Sequence, residues 1–200
     1  MTDLFEEKAK DWDANEMVMA LSSAIGTTML KQVQFNSEMQ VMDFGAGTGL
    51  ITSQIAPYVN KISAVDVSES MLQQLLAKQE LKDKVETICQ DITSQPLEQR
   101  FDLIMSAMAM HHVEDTNKMI EQFAAHLKPG AGIALADLDK EDGSFHPPEI
   151  EGVFHFGFER KQLQLILEKH GFVDVNFVTA HTVDKELKTY PVFLVTATKI

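Results

Sequence analysis

The sequence predicts a single α/β domain built on a mostly parallel sheet with helices on both faces. Three observations point there. Short β-rich runs alternate with amphipathic helices, a glycine-rich turn joins the first strand to its helix, and the last two strands follow one another with no helix between. The crossovers are then right-handed, and the final strand pairs antiparallel near the end of the sheet. A chain of 200 residues is long enough to bury one core, and no repeat, linker or low-complexity segment divides it.

Residues 3–33 read as helical. Leu4, Phe5, Ala9 and Trp12 share one face, and Met17, Leu21, Ile25, Met29 and Val33 follow at intervals of four. Asp13 or Asn15 is positioned to cap the second of two helices. Residues 1–36 form this helical prelude and residues 37–200 the core. Strands are predicted over 40–44, 61–65, 84–89, 101–106, 132–136, 173–179 and 191–198, with helices over 50–58, 68–81, 116–127 and 159–170. Lys128-Pro129-Gly130 and His170-Gly171 mark two helix ends. Residues 140–157 break the alternation: Gly143, Pro147, Pro148 and Gly152 stand among His146, Phe154, His155 and Phe156, the composition of a long functional loop.

Composition narrows the function classes. Thirty acidic against 17 basic residues leave a net charge of −13, which repels phosphate backbones and anionic headgroups. Nucleic-acid and membrane partners are disfavoured. The lone Cys89 excludes an intrachain disulfide and a Cys-based zinc cage and suits a reducing cytoplasm; in its strand it reads as an inert core residue. Acidic residues near the start, no apolar segment after them and no membrane-length run give the same cytoplasmic expectation. Met17, Met29, Met71 and Met119 read as core filling, whereas Met105, Met108 and Met110 could border an apolar pocket. Asp137, Asp139, Glu141 and Asp142 read as a solvated acidic strand end, and no metal is expected.

The chemistry lies in Asp43-Phe44-Gly45-Ala46-Gly47-Thr48-Gly49, a glycine turn between an apolar strand and a helix, where a ligand can lie against the backbone. Asp66 ends the second strand 21 residues after Gly45, close to the separation of a ribose-binding acid from such a turn. Asp91 ends the third strand at the same edge. It could accept from an adenine amino group while Val67 and Ile92 sandwich the ring.

These residues resemble a class I S-adenosylmethionine-dependent methyltransferase of the small-molecule and quinone-methylating kind. The Phe101-Asp102-Leu103-Ile104 run, Ser106, His111-His112-Val113 and Leu127–Gly132 extend the likeness over roughly residues 38–136. The resemblance implies a Rossmann-like, doubly wound, seven-stranded sheet of order 3-2-1-4-5-7-6 with strand 7 antiparallel. It also implies S-adenosylmethionine as cofactor, S-adenosylhomocysteine as product, and the N-terminal helices as a lid. In those terms Asp43 binds the methionine ammonium, Gly45, Ala46, Gly47, Thr48 and Gly49 form the turn around it, and Asp66 holds the ribose. Val67, Met71, Asp91 and Ile92 surround the adenine, Ser106 and Met108 form the wall near the sulfonium, and Trp12 covers the site.

Methyl transfer from a sulfonium needs alignment and exclusion of water more than a protein nucleophile. If the acceptor loses a proton, His111 or His112 is the candidate base, and His146, His155 and Phe156 are candidates to contact the substrate. Each has a purely structural reading as well. A nicotinamide-dependent oxidoreductase would share the sheet and the ribose acid, but its usual glycine spacing differs. A cofactor-binding protein without turnover is the other alternative. The expected partner is a small methyl acceptor, the chain being a monomer or homodimer.

Overall fold

The computed structural model describes residues 3–147, 149–185 and 187–200. Met1, Thr2, Glu186 and Pro148, which belongs to the predicted loop, lie outside the described residues. The chain opens with a 3-10 turn, Ala9–Ala14, and then α1, Glu16–Gln32. Asn15 caps α1 by accepting from the Met17 and Val18 amides. Of the predicted stripe, Leu21, Ile25 and Met29 are buried. Met17 is not core filling: it is 43% exposed, at the first turn of the helix and beside a large cavity.

β1 (Gln40–Phe44), β2 (Lys61–Asp66) and β3 (Val85–Cys89) alternate with α2 (Leu50–Ile55) and α3 (Glu69–Leu76). β4 (Phe101–Ala107), α4 (Thr116–Ala125), β5 (Leu127–Leu138), α5 (Arg160–Lys169), β6 (Phe172–Lys185) and β7 (Lys188–Lys199) complete the chain. The sheet order is β3-β2-β1-β4-β5-β7-β6, parallel from β3 to β5, with β7 antiparallel to both of its neighbours. The predicted topology is therefore observed.

Boundaries differ from expectation where local chemistry intervenes. α2 stops at Ile55 and continues as a 3-10 turn because Pro57 lacks the amide an α-helix needs. α3 ends at Leu76, and Gln79–Leu81 forms a separate 3-10 turn. Pro129 and Gly130 lie inside β5 rather than ahead of it. A register shift against Phe101/Leu103 accommodates them, and regular pairing resumes at Gly132. β6 and β7 run well past the predicted spans because they pair as a hairpin out to Lys185 and Lys188.

Each face of the sheet has its own core. On one, Ile25 and Met29 of α1 and Ile55 of α2 meet Ile62, Ala134 and Leu194; on the other, Phe123 of α4 and Leu167 of α5 meet Phe101, Phe172 and Phe193. Gly26 lets α1 pass close to α2. A Cβ there would stand 2.3 Å from Gln54 Oε1, and Gln54 Nε2 crosses the gap to donate to Ser22 O at 3.0 Å. Cys89 departs from its expected role: it lies on edge strand β3 and is exposed. Among the described residues no helix is long and apolar enough to cross a membrane.

β1 pairs parallel with β2 on one side and β4 on the other, so the chain's crossovers diverge between β1 and β4. Phe44 lies level with Val65 and with Ser106, which brings the carboxyl ends of three strands together. A crevice at such a divergence is where open α/β sheets bind ligands.

Candidate active site

A cavity of about 1050 Å³ opens at that edge, enough for more than one small molecule. Its floor is the glycine turn. Gly45, Gly47 and Gly49 have φ of 68°, 54° and 82°, values that side-chain-bearing residues rarely adopt. A Cβ on Gly45 would stand 2.2 Å from Ala109 Cβ, whereas one on Gly47 would meet nothing within 4 Å. The amides do not face a ligand as expected. Gly45 and Ala46 donate to Val65 O at 2.8 and 3.1 Å, and Gly47 donates to Asp66 Oδ2 at 2.8 Å. With Gly49 donating to Ala46 O as well, four of the turn's five amides are engaged within the protein, and the turn offers a ligand mainly its shape.

Asp66 sits between the turn and α3, accepting from the Gly47 amide through one oxygen and from the Ser68 amide, at 2.9 Å, through the other. Each oxygen keeps a lone pair for a further donor. Burial raises its pKa despite those bonds. Asp43, 2% exposed, accepts from Thr52 Oγ1; burial pushes its carboxyl up to about 7, against the Thr52 bond and with help from the Asp66 charge. Asp91 binds the Thr93 amide and hydroxyl at 2.8 and 2.7 Å through Oδ1. Burial would raise it, but the bonds from Thr93 and Ser94 prevail and its pKa is lowered.

Most predicted cofactor residues line this cavity: Asp43, Gly45–Thr48, Asp66, Val67, Met71 and Asp91, with Met108 and Trp12 opposite. Gly49 is the left-handed residue that starts α2. Two assignments are corrected. Ile92 is fully buried in the core beneath the rim and cannot cover a ring in the cavity. Ser106 is likewise buried, its Oγ without a partner, and the wall there is Ala107–Ala109, with Met108 at φ 56°. Thr48 lines the cavity as expected, and its hydroxyl donates to Asp13, which also pairs with Lys78 at 2.8 Å.

The cavity lining is largely apolar. Phe5, Trp12, Leu21 and Phe154 line it, Phe5 and Trp12 meeting edge to face at 6.0 Å. Asp3 ties the N-terminal segment across the rim by accepting from Ser68 Oγ and from the amide and hydroxyl of Ser70.

His111, His112 and His146 meet here. Ring centroids are 4.2 Å apart for His111 and His112 and 5.0 Å for His111 and His146. His111 Nδ1 lies 2.8 Å from Asp137 Oδ1. His112 Nδ1 lies 2.7 Å from Gly152 O and its ring packs edge-on against Phe5, so it serves the wall.

Two predicted substrate contacts lie elsewhere. His155 occupies a separate hollow of about 350 Å³, its Nε2 2.9 Å from Val113 O, and Phe156 packs beside Gly143 outside the cavity. The acidic strand end is also not a solvated cluster. Asp137 is fully buried against His111, Asp139 pairs with Arg160 at 2.7 Å, and only Asp142 is freely exposed, pairing with Lys188. No group of three or more metal-binding side chains forms among the described residues.

Sequence reasoning missed Asp3 and gave Asp137 and Asp13 other roles, those of a solvated strand end and a helix cap. Asp137 did leave a signal, an acid closing an apolar strand run at the carboxyl edge of the sheet. Asp3 and Asp13 act through partners 35 to 67 residues away, which no local pattern exposes.

A sheet of this order, a glycine-rich turn after its first strand and an acid after each of the next two define a class I S-adenosylmethionine-dependent methyltransferase. The chain belongs to that family, and residues 41–130 match its Methyltransferase domain. An uncharacterized methyltransferase of Schizosaccharomyces pombe is 30% identical over 70% of this chain and 55% of its own length. A malonyl-[acyl-carrier protein] O-methyltransferase of Priestia megaterium is 30% identical over 66% of this chain and 48% of its own. The chain thus spans about half the length of the curated relatives it matches. A solved S-adenosylmethionine-dependent methyltransferase from Aquifex aeolicus is 26% identical, each chain fully covered, with a TM-score of 0.72. The N-methyltransferase NodS of Bradyrhizobium japonicum, solved with S-adenosylhomocysteine, shares the fold at a TM-score of 0.73, with 15% identity over 98% of this chain and 94% of its own.

Proposed function

We propose that this protein transfers a methyl group from S-adenosylmethionine to a small-molecule acceptor. The observation that carries this reading is the order of groups along one rim: buried Asp43, the glycine-rich turn at residues 45–47, Asp66 with a lone pair left on each oxygen, and Asp91. The space beside Gly47 that a Cβ would fill suits a ligand pressed against the backbone. When bound, the cofactor supplies an electrophilic methyl group on a sulfonium.

The residues of the chain do the rest. Asp43 meets the amino-acid ammonium, Asp66 takes the ribose hydroxyls, and Asp91 accepts from the adenine edge with Val67 and Met71 against the ring. Trp12 and Phe5 close over the site as a lid that excludes water and holds the acceptor in line. The largely apolar cavity fits a small organic acceptor, and the net charge of −13 argues against a nucleic acid. O-methylation, in the names of a malonyl-[acyl-carrier protein] O-methyltransferase and a ubiquinone biosynthesis O-methyltransferase among the relatives, belongs to the same broad reaction class.

Isothermal titration with S-adenosylhomocysteine, S-adenosylmethionine and NAD tests the reading. Binding of the first two and not the third is expected, and Asp66→Ala should abolish it while circular dichroism stays unchanged. Unaltered affinity in that variant would reject the ribose assignment. Failure of the wild-type protein to bind either adenosyl compound would reject the function.

A further inference from the structure

Besides the acids assigned to the cofactor, the charged side chains lining the cavity are Lys8, Glu114, Asp115, Lys118 and Lys185. Burial separates them. Lys8, Glu114, Asp115 and Lys118 are exposed, so water and salt screen each of them, and the two acids offset the two bases. Lys185 is part-buried, and among the described residues it forms no ion pair. A cation held against a largely apolar cavity with no counter-charge is unfavourable until a ligand supplies one.

The fold fixes Lys185 in this position. β6 lies four positions along the sheet from β1, whose turn floors the cofactor end. The β6–β7 hairpin continues past Leu138, the end of β5, and Lys185 pairs with Lys188 at its tip. Val183 and Tyr190 are buried in this arm, Tyr190 packing on Phe145 at 5.2 Å between ring centroids. Ser144 Oγ lies 2.7 Å from Tyr190 OH and Lys188 pairs with Asp142 at 2.7 Å, so the arm and the loop before His146 hold one another. Lys185 Nζ donates to Phe145 O at 2.7 Å and lies over the Phe145 ring, which leaves two of its three hydrogens for another partner.

His146 follows Phe145, lines the same cavity and has a buried Nε2 without a partner. Burial, with His111 and His112 alongside, holds its pKa down at about 4. At pH 7 it is therefore a neutral ring with one N–H to donate.

We propose that the methyl acceptor carries a carboxylate remote from its reacting atom, and that Lys185, with His146 beside it, holds that carboxylate and so selects the substrate. This deepens the methyltransferase reading and rests on it. One ammonium and one neutral N–H match a single negative charge. A phosphate dianion calls for a second part-buried cation or an arginine fork, and no arginine lines the cavity. A cationic group at this end would meet Lys185 as a like charge.

Neighbouring acids do not supply the missing anion. Asp137 is fully buried, its oxygens taken by the His111 ring and amide and by the Leu138 amide. Asp142 pairs with Lys188, and Glu141 Oε2 accepts from the amides of Gly143, Ser144 and Phe145.

Binding to the protein with S-adenosylhomocysteine bound tests this. The probes are carboxylates graded in size from benzoate to naphthoate, each set against its neutral amide. The fluorescence of Trp12, the chain's single tryptophan and a lining residue, reports them. In at least one pair wild type should bind the carboxylate about tenfold tighter than the amide, the gain expected of a charge-assisted bond over a neutral one. Lys185→Gln should erase the difference, Lys185→Arg should restore most of it, and Lys118→Gln should leave it intact. Affinity for S-adenosylhomocysteine should be unchanged in all three.

The proposal is overturned if no pair shows a carboxylate preference, if the preference survives Lys185→Gln, or if Lys118→Gln removes it. Loss of S-adenosylhomocysteine affinity in folded Lys185→Gln also overturns it, by giving Lys185 to the cofactor's own carboxylate. Should Lys185→Gln fail to fold, Overhauser contacts in wild type between the ring protons of a bound carboxylate and the Lys185 side chain decide: their presence supports the assignment and their absence overturns it. Failure of wild type to bind S-adenosylhomocysteine is a different result, which removes the function and this inference with it.

Discussion

At the scale of single residues, glycines of one turn do unequal work. Gly45 and Gly47 share a left-handed backbone, which costs a side-chain-bearing residue about 1–2 kcal/mol. Only Gly45 is also sterically closed, with Ala109 Cβ 2.2 Å from where its own Cβ would stand. Gly45→Ala should therefore lose clearly more thermal stability than Gly47→Ala. Gly47→Ala should lose mainly ligand affinity, since its methyl group projects into open space where a ligand would lie. Equal melting temperatures for the two variants would contradict this account. The positions of both glycines were legible in the sequence, but the difference between them was not, because Ala109 approaches from beyond another strand.

At the scale of elements, the N-terminal segment is held across the rim by two carboxylates. Asp3 binds Ser68 and Ser70 around the start of α3, and Asp13 joins Thr48 of the glycine turn to Lys78. These are partly exposed polar contacts, worth about 0.5–1.5 kcal/mol each, enough to set how often a short segment opens without deciding the fold. Asp13→Ala should raise hydrogen exchange in residues 3–14 and leave exchange in β1 and β4 unchanged. Exchange identical to wild type in that segment would show that Asp3 and the packing of Phe5 and Trp12 hold it without Asp13. Helical periodicity predicted α1 and its buried face correctly, since Leu21, Ile25 and Met29 repeat at the right interval. It overextended the first helix, where the aromatic residues serve the cavity rather than a continuous apolar stripe.

At the scale of the whole molecule, buried titrations oppose one another. Asp43 titrates at about 7 instead of 3.8, so between those values the native state keeps a proton that the unfolded chain releases. Its stabilisation is complete below 3.8 and is lost as pH rises toward 7. His112 and His146 titrate at about 4 instead of 6.5, so their contribution is complete above 6.5 and is lost as pH falls toward 4. The opposed slopes flatten the stability profile between pH 4 and 6.5. Asp43→Asn removes one of them, and its melting temperature should rise more steeply with pH over that window than that of wild type. Parallel profiles would show that Asp43 is not protonated there.

The sequence by itself determined the sheet, its order through family resemblance, the turn at Gly45–Gly49 and the acids at Asp43, Asp66 and Asp91. Those features are local: a strand's period, a glycine's backbone freedom and an acid at a strand end are each written in a few consecutive residues. Tertiary structure alone decided that Ile92 and Ser106 belong to the core, that His155 and Phe156 stand apart, and that Asp137 reaches His111 across 26 residues of chain. Which face of a strand end looks into a cavity depends on the twist of the sheet and on the segments packed above it. Both are set by contacts between residues far apart in the chain.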